Sequence, residues 1–197
     1  MIDAFLLSCG VIFIAELGDK SQLMALAFAT RYPALSVLVA ITIATAIIHL
    51  GSVVLGATVA AVIPADVISI VAGLAFFAFA VWTWRGDTLG AKDEERASQQ
   101  TTGSVILTVG TAFFLAELGD KTMLATVTLA THQDALGTWL GSTAGMVVAD
   151  AIAIGVGKLM GQNLPERAIR IGATVAFVVF GAILVVEGLR GVLSPGG

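Results

Sequence analysis

Long apolar runs alternate with short polar breaks along this chain. Apolar stretches fill residues 3–30, 34–62, 66–85, 104–131, 135–160 and 168–190. A helix needs roughly 20 apolar residues to cross a bilayer core, and each run meets that length or exceeds it. The pattern predicts an all-α membrane protein with six transmembrane helices. Four breaks are short and hold turn or polar residues: Arg31-Tyr32-Pro33, Ile63-Pro64-Ala65-Asp66, His132-Gln133-Asp134, and 162–167 with Pro165. The fifth break, 86–103, is long and charged, with Asp87, Lys92, Asp93, Glu94, Glu95 and Arg96, and reads as a solvated cytoplasmic linker. One integral membrane domain is expected, with a first three-helix unit at 1–85 and a second at 104–197.

Composition agrees and narrows the class. The 197 residues are 57% hydrophobic and only 12% charged, against roughly 25% charged in a soluble domain. Ten Lys+Arg against fourteen Asp+Glu leave a net charge of −4 and no basic face for nucleic acid. A single cysteine, Cys9, excludes a disulfide framework and a cysteine metal cluster. The start, Met1-Ile2-Asp3, lacks the positive n-region of a cleaved signal, so the first span is expected to stay. Lys and Arg in the breaks set the orientation. One side has the N-terminus, the 63–66 and 132–134 turns and the C-terminus, and carries only Arg190. The other carries Arg31, Arg85, Lys92, Arg96, Lys158, Arg167 and Arg170. That side is expected in the cytoplasm, with both termini outside it.

The chain contains itself twice. Phe13–Thr30 reads FIAELGDKSQLMALAFAT and Phe114–Thr131 reads FLAELGDKTMLATVTLAT, identical at ten of eighteen positions. Glu16 and Glu117 fix the offset at 101 residues, which also sets His49 opposite Asp150. Each unit holds three spans, and an odd number reverses orientation. Two inverted three-helix repeats are therefore expected, an architecture of secondary transporters whose site lies near the bilayer midplane.

The repeated block carries the chemistry. Glu16 is thirteen residues from Asp3, and Glu117 thirteen from Ser104, so both fall near mid-span. A charge at that depth costs roughly 2.5 kcal/mol or more. Glu16, Asp19, Glu117 and Asp120 therefore need compensation. On a continuous helix Glu16 and Asp19 share a face, and Lys20 follows Glu16 at i+4. Ser21 and Thr122 add hydroxyl oxygens, and Gly18 and Gly119 permit unwinding or close approach. An all-oxygen set suits hard cations such as Mg²⁺, Ca²⁺ or Mn²⁺. Four carboxylates with Lys20 and Lys121 leave −2, which one divalent ion or two protons would neutralise. That balance predicts exchange of one metal for about two protons. Stabilising salt bridges alone are a poor account, because buried ion pairs contribute little stability.

The duplicated Glu-Leu-Gly-Asp-Lys-Ser/Thr block, Glu16–Ser21 and Glu117–Thr122, resembles the Gdt-type cation/proton antiporter family, which includes Golgi-type Mn²⁺/Ca²⁺ transporters and bacterial manganese exporters. The resemblance spans nearly the whole chain. It implies a metal site of Glu16, Asp19, Glu117 and Asp120, and metal export driven by inward protons. Mn²⁺ is the first expected substrate and Ca²⁺ the second. The small size and lack of a presequence suggest a bacterial inner membrane, and the expectation is no enzyme activity, no cofactor, and metal ions, protons and lipid as partners. A homo-oligomer is left open.

Other residues are weaker candidates. Asp150, Gln22 and His49 are candidate auxiliary ligands or proton carriers, beside Lys20, Lys121, Ser21 and Thr122; the alternative for each is an ordinary interhelical contact. Phe76, Phe77, Phe79, Trp82 and Trp84 are expected to face lipid and anchor an interface. Glu187 is expected to pair with Arg190 at i+3. Gly137, Gly141, Ser142, Gly145 and Gly155 suit close helix contacts. Three other classes also fit an acidic membrane protein: a cation channel or uniporter, an exporter of a cationic organic solute, and a metal-dependent lipid-phosphate hydrolase. The last lacks a deep arginine for phosphate and has His49 as its sole intramembrane histidine.

Overall fold

The computed structural model describes residues 1–85, 104–160 and 166–193. The expected linker at 86–103 lies outside the described residues, as do Lys92 and Arg96. Among the described residues the elements are all helices: α1 (Ile2–Glu16), α2 (Lys20–Ala29), α3 (Ala34–Ala60), α4 (Ala65–Arg85), α5 (Val105–Glu117), α6 (Lys121–His132), α7 (Ala135–Met160) and α8 (Glu166–Leu193). Proline marks two of the starts, because its ring has no N–H to leave orphaned and presets φ. Pro33 caps α3 at φ −56°, and the Pro64 carbonyl accepts the Ile68 amide at 3.1 Å as α4 begins.

Four segments are long and apolar enough to cross a membrane: Ala34–Ala60, Ala65–Arg85, Ala135–Val156 and Ile171–Leu193. The first and fourth expected spans differ from the expectation of continuous helices. Each is broken in its middle, into α1 and α2 and into α5 and α6. The breaks fall inside the repeated block, at Leu17–Asp19 and Leu118–Asp120. Backbone polar groups freed at membrane depth need partners; beside these breaks Glu16, Asp19, Glu117 and Asp120 are buried by neighbouring helices, while Gly18, Leu118 and Gly119 stay exposed.

The helices pack in matched pairings. The α1 helix lies along α7, and α5 along α3; α2 touches α7, and α6 touches α3. The α4 helix packs along α8, and α3 meets α7. Phe28, Phe76, Phe113 and Phe177 fill the core with Ile12, Met24, Ile41 and Met146. Outward faces are apolar as well: Ile43, Ile47, Leu50 and Val54 form an exposed stripe on α3, and Val175, Val178, Val179 and Ile183 do so on α8. In water such faces would be an aggregation hazard. In a bilayer they are the solvent-matched surface, so an apolar outer shell around the buried Glu16, Asp19, Glu117 and Asp120 marks an integral membrane protein.

Part of the aromatic cluster departs from its expected place. Trp82 and Trp84 are exposed, but Phe76 and Phe79 are buried. Phe76 packs on Phe177 with ring centroids 5.8 Å apart, and Phe79 on Phe177 at 6.0 Å. These rings seal α4 against α8. Glycine spacing explains the α1–α7 seam. A Cβ at Gly141 would strike the Phe5 carbonyl oxygen, and one at Gly145 the Cys9 carbonyl oxygen. Gly137 stands against Ala4 in the same way, whereas a Cβ at Gly155 would meet nothing within 4 Å, so Gly155 makes no such contact. Gly141→Val is therefore expected to force the seam apart, at a cost of about 1–3 kcal/mol or more. Thermal unfolding in detergent should show a lowered midpoint for Gly141→Val and an unchanged one for Gly155→Val.

Candidate cation site

Both breaks are built the same way. The Leu17 residue leaves the helix at φ −62°, ψ 116°, Gly18 turns at φ +75°, and Asp19 caps α2. In the second copy Leu118 leaves at φ −65°, ψ 112°, Gly119 turns at φ +82°, and Asp120 caps α6. A side chain at positive φ is strained, so glycine is required at both turns. The Asp19 amide donates to the Glu16 carbonyl at 3.0 Å, and the Asp120 amide to that of Glu117 at 3.1 Å. Gly18 N–H is taken by Gln22 Oε1 at 2.8 Å, and Gly119 N–H by Met123 Sδ at 3.1 Å.

This geometry changes the expected side-chain relations. Glu16 ends one helix and Asp19 begins another, so they do not share a helical face at i+3. Among the described residues no ion pair joins Lys20 to Glu16. Lys121 Nζ pairs with Asp19 Oδ1, and Lys20 Nζ lies 3.4 Å from Asp120 Oδ1, so the ion pairs cross between the two halves. The hydroxyls stay local. Ser21 Oγ donates to Glu16 Oε2 and stands 3.2 Å from Asp19 Oδ2, and Thr122 Oγ1 donates to Glu117 Oε2 at 3.0 Å.

Oxygens of Asp19, Glu117 and Asp120 gather within 4.8 Å of one another, all buried. Glu16 stands outside that triad and is joined to it through Ser21. Glu16 Oε1, Glu117 Oε1 and Asp120 Oδ2 are buried with no hydrogen-bond partner among the described residues. Unpartnered buried carboxylate oxygens are costly, and a bound cation or proton is the usual remedy. The α1 and α5 helices end at Glu16 and Glu117, and helix C-termini favour positive charge.

The auxiliary candidates separate. Asp150 is fully buried, both its oxygens lack partners among the described residues, and it lies within electrostatic reach of Glu16, Asp19 and Glu117. Gln22 is used by the backbone instead: its oxygen holds Gly18 and its Nε2 donates to the Ala149 carbonyl at 3.1 Å. His49 is buried with Nδ1 unpartnered, and among the described residues it makes no hydrogen bond to the carboxylates. Glu187 forms no ion pair with Arg190 among the described residues. It lines a cavity of about 300 Å³ together with His132, Phe76 and Phe180. Sequence reasoning missed the crossed lysines and the capping role shared by Gln22 and Met123. The latter had a signal, since both follow their glycine by four residues.

The family model described as "Divalent cation/proton antiporter GDT1" matches residues 4–91 and 105–191, one block over each half. The chain belongs to the GDT1 family. Among GDT1 relatives, the "Putative manganese exporter" of Vibrio cholerae is 34% identical over 168 residues, covering 83% of this chain and 81% of that protein. Protein PAM71, chloroplastic, of Arabidopsis thaliana is 32% identical over 210 residues, covering 93% of this chain and 56% of that longer protein. "GDT1-like protein 4" of Oryza sativa subsp. indica is 26% identical over 202 residues, 91% of this chain and 71% of the relative. No solved structure matches. The protein is thus a membrane-embedded member of a divalent-cation transporter family.

Proposed function

We propose that this GDT1 protein exports divalent cations from the cytoplasm, Mn²⁺ first and Ca²⁺ next, in exchange for protons, through a midplane site of Glu16, Asp19, Glu117 and Asp120. The observation that carries this reading is the gathering of Asp19, Glu117 and Asp120 oxygens within 4.8 Å, from both halves of the chain. Glu16 joins the site through Ser21. Oxygen ligands of this charge suit Mn²⁺ and Ca²⁺, and the Vibrio cholerae relative's name favours manganese.

The charge balance supports the coupling. Four carboxylates against two lysines leave −2, so one M²⁺ leaving and two protons arriving keep the site neutral. A neutral interior is what allows a carrier to change its facing in a bilayer. The paired breaks, and the matched pairings of α1 with α7 and α5 with α3, support two inverted repeats that rock about this centre. The Lys/Arg distribution supports a bacterial inner-membrane orientation with both termini outside the cytoplasm.

Purified protein in liposomes with a pH-sensitive dye inside tests the reading. Added Mn²⁺ or Ca²⁺ is expected to drive proton movement, and Mg²⁺ serves as the comparison. Metal uptake by radiotracer without a proton signal would identify a channel or uniporter. Absence of both signals would remove the reading altogether.

A further inference from the structure

Each motif lysine forms an ion pair with the aspartate of the other motif. Lys121 holds Asp19 and Lys20 holds Asp120, each across the boundary between the halves. Asp19 and Asp120 are also two of the three residues whose oxygens converge. Two of the three nearest candidate ligands therefore already carry an ammonium group. A hard divalent ion seeks those same oxygens. An ammonium and a divalent ion crowded on one carboxylate repel strongly in a pocket from which water is excluded.

We propose that Lys20 and Lys121 are tethered counter-ions that compete with the transported cation for Asp120 and Asp19, and that stand in for it while the carrier returns without metal. This inference rests on the cation/proton antiport reading of the same site. When metal arrives, each ammonium yields its carboxylate oxygen and stays protonated. When metal leaves, the ammonium swings back, and protons on the remaining carboxylates complete neutrality. Because the pairs cross, every displacement also loosens a link between the two halves. Occupancy of the site is thereby tied to the freedom of the halves to move. The two links are unequal. The Lys121 side chain is 2% exposed, and that of Lys20 is 17% exposed. Lys121 is the tighter competitor.

Replacing a lysine by glutamine leaves one more negative charge in the site. Metal should then bind more tightly; the extra charge is present in the loaded and metal-free states alike, but in the loaded state the metal covers the bared aspartate, so the metal-free return should slow more. Exchange of metal for metal needs no metal-free return and should persist. The test uses the full-length protein with Mn²⁺ alone as the probe. Binding is measured by titration calorimetry in detergent. Net Mn²⁺/H⁺ antiport and exchange of radioactive for unlabelled Mn²⁺ are measured in liposomes. For Lys121→Gln, affinity is expected to rise at least about tenfold and net antiport to fall at least about tenfold, with exchange retained. Lys20→Gln should shift the same way by less. Lys121→Arg, which keeps the charge, should restore wild-type behaviour. Unchanged or weaker Mn²⁺ affinity in folded Lys121→Gln would overturn the proposal, as would parallel loss of exchange and net antiport. A purely structural role would give that parallel loss. If Lys121→Gln does not fold, Lys20→Gln carries the same test. Wild-type protein that binds neither Mn²⁺ nor Ca²⁺ would instead remove the underlying site, and this proposal with it.

Discussion

Glu117→Gln is expected to lose proton-coupled metal transport by about 100-fold or more, with its unfolding midpoint nearly unchanged. Glu117 ends α5, is buried, and has one oxygen bonded to Thr122 and one without a partner. Glutamine has nearly the same shape, and its carbonyl oxygen can still accept the Thr122 hydroxyl. What it lacks is charge. A 100-fold loss corresponds to about 2.8 kcal/mol of cation binding, which one lost charge contact can supply in a site from which water is excluded. Glu16→Gln should behave alike, because Ser21 holds Glu16 in the same manner. Liposome transport and thermal unfolding, run on the same preparations, check both. Full activity in either variant would sink the four-carboxylate site.

Asp19→Ala is expected to fail in two ways at once. It removes a ligand candidate from the converging triad, and it breaks the ion pair between Lys121 and Asp19. The Lys121 side chain is 2% exposed, so water cannot replace the lost carboxylate. Breaking a buried pair from one side costs about 3–5 kcal/mol, because an uncompensated charge stays behind. Asp19 also caps α2, and losing a cap costs about 1 kcal/mol more. A large fall in the unfolding midpoint should accompany total loss of transport. The double variant Asp19→Ala with Lys121→Met separates the effects. Stability should largely return, since no charge is left stranded, while transport stays lost. Equal instability of the single and double variants would show that the crossed pair does not bear on the fold.

The repeated block made much of the candidate site legible in the sequence alone. Charged residues at mid-span depth are expensive, so Glu16, Asp19, Glu117 and Asp120 announced themselves twice over. Gly18 and Gly119 hinted at a break, yet their effect on side-chain geometry was not legible. A continuous helix would point Lys20 back to Glu16; the positive-φ turn ends one helix and starts another, so the i+4 relation has no meaning there. Gln22 looked like a ligand because it is polar and adjacent. Its amide is used by Gly18 and by the Ala149 carbonyl, since a broken helix in the membrane must satisfy its own backbone first.

The sequence by itself determined the inventory: an apolar, helical, membrane-embedded chain, a duplicated acidic block, and a charge balance two units short of neutral. Those follow from composition, run length and depth, which need no knowledge of neighbours. Tertiary structure alone decided the pairings. Phe76 and Phe79 turned inward because α8 brings Phe177 against them. Lys20 and Lys121 pair with the opposite motif because the packing of the two halves brings each lysine within ion-pair reach of the other half's aspartate. A lipid-facing and a buried apolar residue look alike in sequence, since bilayer and protein core are equally dry. Likewise a charge at known depth reveals its cost, while its partner depends on contacts between residues about a hundred positions apart.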